Sequence, residues 1–142
     1  MNIALHQNDN WILWNPDNIE SCAAYSAQIT QDENEMRVAV DCTDQIIDVI
    51  FEGFVPIYVY SDEGIRMATY MPVQEKNNDK FYFRKWFLYE VKNSDFMSWA
   101  LKESCGFYLE KDLMHFCIVT ANDVIDILTT AAPKIVIRES NN

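Results

Sequence analysis

Positive charge is missing from the beginning of this sequence: the first 36 of its 142 residues contain no lysine or arginine. A secretory signal peptide starts with a basic segment, so this absence argues against one. No apolar run approaches the roughly 20 residues that a membrane-spanning helix needs. We therefore expect a cytoplasmic protein.

Glycine and histidine are also scarce, with three and two copies respectively. Three isolated glycines cannot form the GxGxxG or Walker loops that cradle phosphates. His6 and His115 are too few for a multi-histidine metal site, and the sequence contains neither HExxH nor GxSxG. These absences predict a protein that is not an enzyme and that has no catalytic residue, metal or cofactor.

The cysteines lack the CxxC pairing of a zinc ribbon. With no signal for a disulfide framework either, we expect them to be reduced and mostly buried. They are Cys22, Cys42, Cys105 and Cys117.

The remaining composition is that of a packed globular protein, with 49% hydrophobic and 13% aromatic residues among 142. A chain of this size buries roughly 68 to 70% of its unfolded surface, which is enough for a core without disulfides or metals. We expect one domain over residues 1–142.

Two kinds of periodicity indicate the elements of this domain. Asn15-Pro16-Asp17 is typical of a helix start and predicts a helix over about 16–30, although alternation in the same segment permits a strand. Another helix is predicted after the N-cap residue Ser94, ending at Gly106. Strands are predicted over 11–14, 36–41, 81–91, 113–120 and 134–137, with a hairpin over 54–73 that turns at Gly64. The expected fold class is α+β: a mostly antiparallel sheet of about five to seven strands with two or three helices.

The stretch HFCIVTANDVIDIL resembles a catalytic constellation, because a histidine, a cysteine and two aspartates follow one another closely. Thr120 and Asp123 have nearly the spacing of a capping box, and apolar residues then repeat at helical spacing. This pattern predicts a helix with Asp126 on its polar side. His115 and Cys117 would share a face of a buried strand, where a thiol resists ionisation, so a structural role is favoured over a catalytic one.

Negative charge dominates the sequence, with 11 basic and 22 acidic residues and a net charge of −11. Residues 1–54 contain ten acids and one base, Arg37, whereas residues 55–142 contain twelve acids and ten bases. A concentrated negative field repels nucleic acid and anionic membranes and speeds encounter with a basic surface. The alternative is that the acids serve solubility alone.

The stretch TDQIIDVIFEG places Asp44, Asp48 and Glu52 four residues apart, on one side of either a helix or a strand. On a strand, Ile46 and Ile50 would share that face. Acids for steering and aliphatics for affinity are suited to a basic protein partner, although acids on a solvated edge also prevent strand addition. The predicted partner-binding residues are Asp32, Glu33, Glu35, Asp41, Asp44, Asp48 and Glu52.

The stretches WFLYEVKNSDFMSWALKES and HFCIVTANDVIDIL, in a small acidic chain without catalytic motifs, resemble immunity proteins of bacterial contact-dependent or polymorphic toxin systems. The resemblance covers residues 81–130 and carries over no functional residue. It implies a non-catalytic cytoplasmic protein that binds a cognate toxin domain, often a basic nuclease, and blocks its active site.

The expected function is therefore neutralisation of a basic toxin domain through the acidic surface of residues 32–52. One alternative is a phage-type DNA mimic or anti-nuclease factor, which predicts carboxylates in paired rows along helices. Another is a small-ligand-binding or hydrolytic domain with aromatic residues around a pocket. The aromatic residues in question are Tyr82, Trp86, Trp99 and Tyr108.

Overall fold

The structure is a computed structural model that describes residues 9–20 and 22–139. Within these ranges the chain forms nine strands in two antiparallel sheets, together with two α-helices. The α+β class and the antiparallel pairing are confirmed, and the strands outnumber the five to seven predicted. Sheet A has the order β1-β6-β7-β8-β5 and sheet B the order β2-β3-β4-β9.

The elements have the following bounds. Those of sheet A are β1 (Asn10–Leu13), β5 (Ile57–Asp62), β6 (Leu88–Lys92), β7 (Met114–Val119) and β8 (Asp123–Thr129). Those of sheet B are β2 (Ser26–Gln31), β3 (Met36–Asp41), β4 (Gln45–Phe51) and β9 (Lys134–Glu139). The helices are α1 (Met67–Lys76) and α2 (Asp95–Glu103).

The main core lies between the two sheets. Alternate residues of β3 and β4 point into it, and Val38, Ile47 and Val49 are fully buried there. Phe116 and Ile125 meet them from the facing side of sheet A. Because strand side chains alternate between faces, the neighbours of Phe116 and Ile125 on β7 and β8, such as Cys117 and Val124, point to the opposite face of sheet A.

A second, smaller core covers the opposite face of sheet A. Tyr89, Cys117 and Val124 of this face pack against Phe83 and Tyr70. Tyr70 comes from α1, and Phe83 from a short 3-10 turn. Sheet A is thus buried on both faces. We call the face that α1 covers the helix-side face, and polar groups on it need partners within the protein.

Residues 123–129 form strand β8, so the helix predicted there is wrong. All seven residues of β8 are buried, because the strand is central in sheet A and a core covers each face of that sheet. Valines, isoleucines and leucine on both faces suit such a central strand and fit helical spacing equally well. The segment is a strand and not a helix because it pairs with both β7 and β5.

The Thr120 and Asp123 pair closes the β7–β8 hairpin instead of capping a helix. Thr120 Oγ1 accepts a hydrogen bond from the Asp123 amide at 2.9 Å and donates one to Asp123 Oδ2 at 2.9 Å. The Thr120 amide also donates to the Asp123 carbonyl at 2.9 Å, so these bonds together close a four-residue turn.

The helix predicted over 16–30 is also wrong, and residues 26–30 belong to β2. Asn15 does not cap a helix: its side-chain amide bonds both the amide and the carbonyl of Ile19, each at 2.9 Å, and closes a loop. Asn18 has a positive φ of 52°, which a helix does not tolerate. The alternation in this segment is therefore a strand signal.

The hairpin predicted over 54–73 is only half strand. Asp62 accepts a hydrogen bond from the Gly64 amide and begins a 3-10 turn, after which the chain enters α1. Residues 81–91, predicted as one strand, divide into a 3-10 turn at Tyr82–Arg84 and strand β6. As a result, α1 and the 3-10 turn pack on one face of sheet A instead of extending the sheet with further strands.

Helix α2 begins where the sequence predicts. Ser94 Oγ accepts a hydrogen bond from the Met97 amide at 2.9 Å, and the helix ends at Glu103, before Gly106. No helix within residues 9–20 and 22–139 is long and apolar enough to cross a membrane.

Candidate functional site

The seven acids predicted to bind a partner lie in three separate places on sheet B. Asp32, Glu33 and Glu35 belong to the β2–β3 turn, and Glu52 follows β4 at the same end of the sheet. Asp41 and Asp44 flank the β3–β4 turn at the opposite end. Asp48 lies in the middle of β4.

Asp48 is completely buried. Two arginines from the neighbouring strands fold over it: Arg138 Nε lies 2.8 Å from Oδ2, and Arg37 Nη1 lies 3.2 Å from the same oxygen. Both arginines keep more than 40% of their side-chain surface exposed. The predicted face with Ile46 and Ile50 exists, but its central acid is already neutralised.

The turn acids surround a shallow depression. Its volume is about 270 Å³, and its lining includes Asp32, Glu33, Glu35, Glu52 and the ring of Phe54. Phe54 is 62% exposed, which is unusual for a phenylalanine. We call this group of five residues the acidic depression.

Charges within the acidic depression are partly balanced. Glu35 pairs with Arg37 at 3.1 Å, and Glu52 pairs with Lys134. The Asp32 carboxylate accepts hydrogen bonds from the amides of Asn34 and Glu35, which lower its pKa and keep it ionised. Asp32 and Glu33 are the acids whose charge faces solvent most directly.

A hydrogen-bonded chain of Ser94, His115 and Asp126 lies on the helix-side face of sheet A. Ser94 Oγ is 2.6 Å from His115 Nδ1, and His115 Nε2 is 2.7 Å from Asp126 Oδ1. Residues from two neighbouring strands and the start of α2 supply it, and all three are at least 92% buried. His115 and Asp126 belong to the stretch for which the sequence favoured a structural role, and Ser94 lies outside it.

The Asp126 carboxylate has a second partner in Arg66, which precedes α1. Burial by itself would raise the pKa of Asp126, but the hydrogen bond from His115 and the guanidinium of Arg66 lower it to about 2. Asp126 is therefore ionised at neutral pH, and it does not point to solvent as predicted. The ionised carboxylate can only accept, so His115 Nε2 donates to it, and Nδ1 of the same ring faces the Ser94 hydroxyl.

Cys117 lies on the same face, directly across the ladder from Asp126. Burial raises the pKa of its thiol well above the usual value, and the Asp126 carboxylate raises it further. The prediction that this thiol resists ionisation is confirmed.

A groove runs beside Ser94, between α2 and the ends of β6 and β7. Its volume is about 820 Å³, within the usual range for small-molecule sites. Ser94 and His115 both line it, together with apolar side chains of α2 and β7. We call it the α2 groove.

The aromatic residues that the hydrolytic alternative relied on do not form one pocket. Trp86 is buried in the main core, where its Nε1 donates to the Trp14 carbonyl at 2.8 Å. Tyr82 stacks on Tyr89, and Trp99 is half exposed on α2. Among residues 9–20 and 22–139, no group of three histidine, cysteine, aspartate or glutamate side chains could hold a metal ion.

Sequence reasoning missed Ser94 as a member of the buried chain. The residue carried a signal, since Ser94 was predicted to cap α2, but capping alone gave no reason to connect it with His115. Sequence reasoning also missed Arg66 and Arg138 as partners of Asp126 and Asp48, because each arginine lies far along the chain from its carboxylate.

Comparison of the chain with known protein families, characterised proteins and solved structures finds no match. Functional assignment therefore depends on the acidic depression and on the Ser94 chain with its groove.

Proposed function

We propose that the protein is an immunity-type inhibitor that binds a cognate basic toxin domain through the acidic depression and blocks it. The observation that carries the proposal is the position of exposed Phe54 among four carboxylates. Inhibition of this kind is stoichiometric binding and requires no catalytic residue.

The chemistry of the depression suits a basic protein. Carboxylates steer and orient lysine and arginine side chains, while a buried aromatic ring supplies affinity at the centre of an interface. The net charge of −11 repels nucleic acid and anionic membranes, which leaves a protein as the preferred partner. A stable interface buries about 800 Å² on each side, so contacts extend from the depression onto the adjoining β2–β3 surface.

The proposal assigns different weights to the seven acids. Asp32 and Glu33 present the most exposed charge to the partner, and Glu35 and Glu52 contribute less because Arg37 and Lys134 share their charges. Asp48 contributes no free charge, since two arginines hold it. Asp41 and Asp44, at the far end of sheet B, lie outside the depression.

The test compares two triple variants of equal charge. The first reverses Asp32, Glu33 and Glu52 to lysine, and the matched control reverses three exposed acids elsewhere: Asp17, Glu75 and Glu103. Tagged wild-type protein is used to capture partners from a lysate of the source organism, and the retained protein is purified. Association rates with wild type and both variants are then measured across a salt series.

The proposal expects one basic protein, held at a one-to-one ratio and inhibited on binding. Its association with the first variant is slower by about tenfold or more and less sensitive to salt, while the control retains most of the wild-type rate. Equal rates for both variants, or no retained basic protein, would remove the acidic depression from the function. Truncation of Phe54 to alanine is expected to speed dissociation instead of slowing association.

The DNA-mimic alternative receives less support from the arrangement of acids. It requires carboxylates in rows along helices, and α1 and α2 together contain only Glu75, Asp95 and Glu103. The acids of sheet B lie in turns at two ends of the sheet, which does not reproduce the spacing of a phosphate backbone.

A further inference from the structure

The Ser94 chain joins a hydroxyl, an imidazole and an ionised carboxylate in sequence, and it does so at the wall of an open groove. We propose that Ser94 is a nucleophile in the α2 groove that reacts with small carboxylic esters, with His115 as its general base and Asp126 as the residue that orients His115. This activity goes beyond the proposed inhibition and uses a different part of the molecule.

The distances match the roles. Ser94 Oγ lies 2.6 Å from Nδ1 of His115, within reach for proton transfer. Asp126 holds the other ring nitrogen at 2.7 Å and stabilises the imidazolium that forms. The two ring nitrogens are exchanged relative to the usual serine hydrolase arrangement, but the order of hydroxyl, imidazole and carboxylate is the same.

The backbone around Ser94 resembles the sharp strand-to-helix turn that presents a nucleophile in many hydrolases. Strand β6 ends at Lys92, Asn93 has a positive φ of 52°, and Ser94 starts α2. The strained residue here is the one before the serine. A local turn of this kind holds the hydroxyl at the end of the helix where amide groups point outward.

A carboxylate oxygen already occupies the position suited to an oxyanion. The amide of Asp95, the residue after the nucleophile, donates to Asp9 Oδ1 at 2.9 Å. In hydrolases with this turn, the corresponding amide stabilises the oxygen of the tetrahedral intermediate. An ester carbonyl would replace the Asp9 carboxylate at this amide.

The groove limits the substrate class. Met97, Leu101 and Met114 provide an apolar strip, and the rest of the lining is mostly polar, including the ion pair of Glu90 and Lys92 at 3.0 Å. The apolar strip suits a short acyl group, and the polar wall suits the alcohol part of an uncharged ester. A groove of about 820 Å³ accommodates such a molecule with space for water.

The reaction balances with water as its only co-reactant. A bond forms between Ser94 Oγ and the acyl carbon while the hydroxyl proton passes to His115 Nδ1. The bond from the acyl carbon to the alcohol oxygen then breaks, and the alcohol leaves with that proton. Water attacks the acyl group, gives a proton to His115, and releases the carboxylic acid as Ser94 recovers its proton.

Ser94 also caps α2, so a test must separate chemistry from capping. The probe is an alkyl fluorophosphonate, which phosphonylates an activated serine, and mass spectrometry locates the adduct. Folded wild-type protein is expected to carry one adduct on Ser94, and protein unfolded in guanidinium none. The matched control is Ser26→Ala, which removes a hydroxyl from β2 of sheet B, outside the α2 groove, and leaves labelling unchanged.

A second measurement uses p-nitrophenyl acetate and p-nitrophenyl butyrate. Wild type and Ser26→Ala should release p-nitrophenol in a burst followed by a slower steady rate, and Ser94→Ala should fall to background. Asp9→Gly should raise the burst rate severalfold, because the ester carbonyl no longer competes with a carboxylate. An unlabelled Ser94 in the folded wild type, or equal hydrolysis by Ser94→Ala and wild type, would overturn the proposal.

Discussion

Arg138 on β9 donates from Nε to the Asp48 carboxylate on β4 at 2.8 Å, and together with Arg37 it removes Asp48 from solvent. The aliphatic stems of the two arginines cover the acid that their guanidinium groups neutralise. This arrangement makes the stability of sheet B depend on whether the cover and the charge are removed together or separately.

Replacing Arg37 and Arg138 by methionine should therefore be worse than replacing both by alanine. Methionine keeps Asp48 covered and removes its charge partners, which costs about 3 to 5 kcal/mol for an uncompensated buried charge. Alanine admits water to the carboxylate and costs less. Urea unfolding of both double variants measures the difference, and adding Asp48→Leu to the methionine pair should recover most of the loss. A methionine pair as stable as the alanine pair would contradict this account.

Acid should weaken the fold partly through Asp126. Its pKa in the folded protein is about 2, below the ordinary value of 3.8, so its stabilising contribution is complete above pH 3.8 and is lost as the pH falls towards 2. A shift of this size corresponds to about 2 kcal/mol. Unfolding free energies measured at pH 5 and pH 2 should fall further for wild type than for Asp126→Asn, by about that amount. Equal losses in the two proteins would show that another carboxylate is responsible.

The turn between β7 and β8 should depend on the Thr120 hydroxyl. Thr120→Ala removes its bonds to the amide and carboxylate of Asp123 and is expected to cost about 1 to 3 kcal/mol, because the buried Asp123 groups lose a partner. Thr120→Ser retains the hydroxyl and serves as the control, with a loss below about 1 kcal/mol. Thermal unfolding of the two variants compares them directly, and similar melting temperatures would argue against the turn bonds.

Buried Trp86 and partly buried Trp14 should respond differently to replacement by phenylalanine. Trp86 Nε1 donates to the Trp14 carbonyl, whereas Trp14 Nε1 is buried with no hydrogen-bond partner among the described residues. Trp86→Phe removes the hydrogen bond to the Trp14 carbonyl and leaves that carbonyl without this donor. Trp14→Phe removes a buried N–H group that makes no hydrogen bond among the described residues, so no hydrogen bond is lost. Denaturant midpoints should therefore fall more for Trp86→Phe, and the reverse order would refute the argument.

Sequence patterns predicted the strands whose alternation is clear and the start of α2, because these depend on neighbouring residues alone. The VIDIL segment of β8 fits both periods, and only the flanking strands β7 and β5 determine that it is extended. Asp48 was placed correctly beside Ile46 and Ile50, yet its burial depends on Arg138 from β9. The chain of Ser94, His115 and Asp126 likewise requires the order of strands in sheet A, which no local pattern contains.

Strand β4 pairs with β9, so that residue 50 lies beside residue 134. During synthesis on a ribosome, β2, β3 and β4 emerge long before β9 does. Until then β4 is an open edge that carries Ile47 and Val49, and an unpaired apolar edge invites association with other chains. Closing the sheet also requires a long loop to form, which slows folding. Nascent chains that stop short of residue 134 are therefore expected to depend on chaperones far more than the full sequence does.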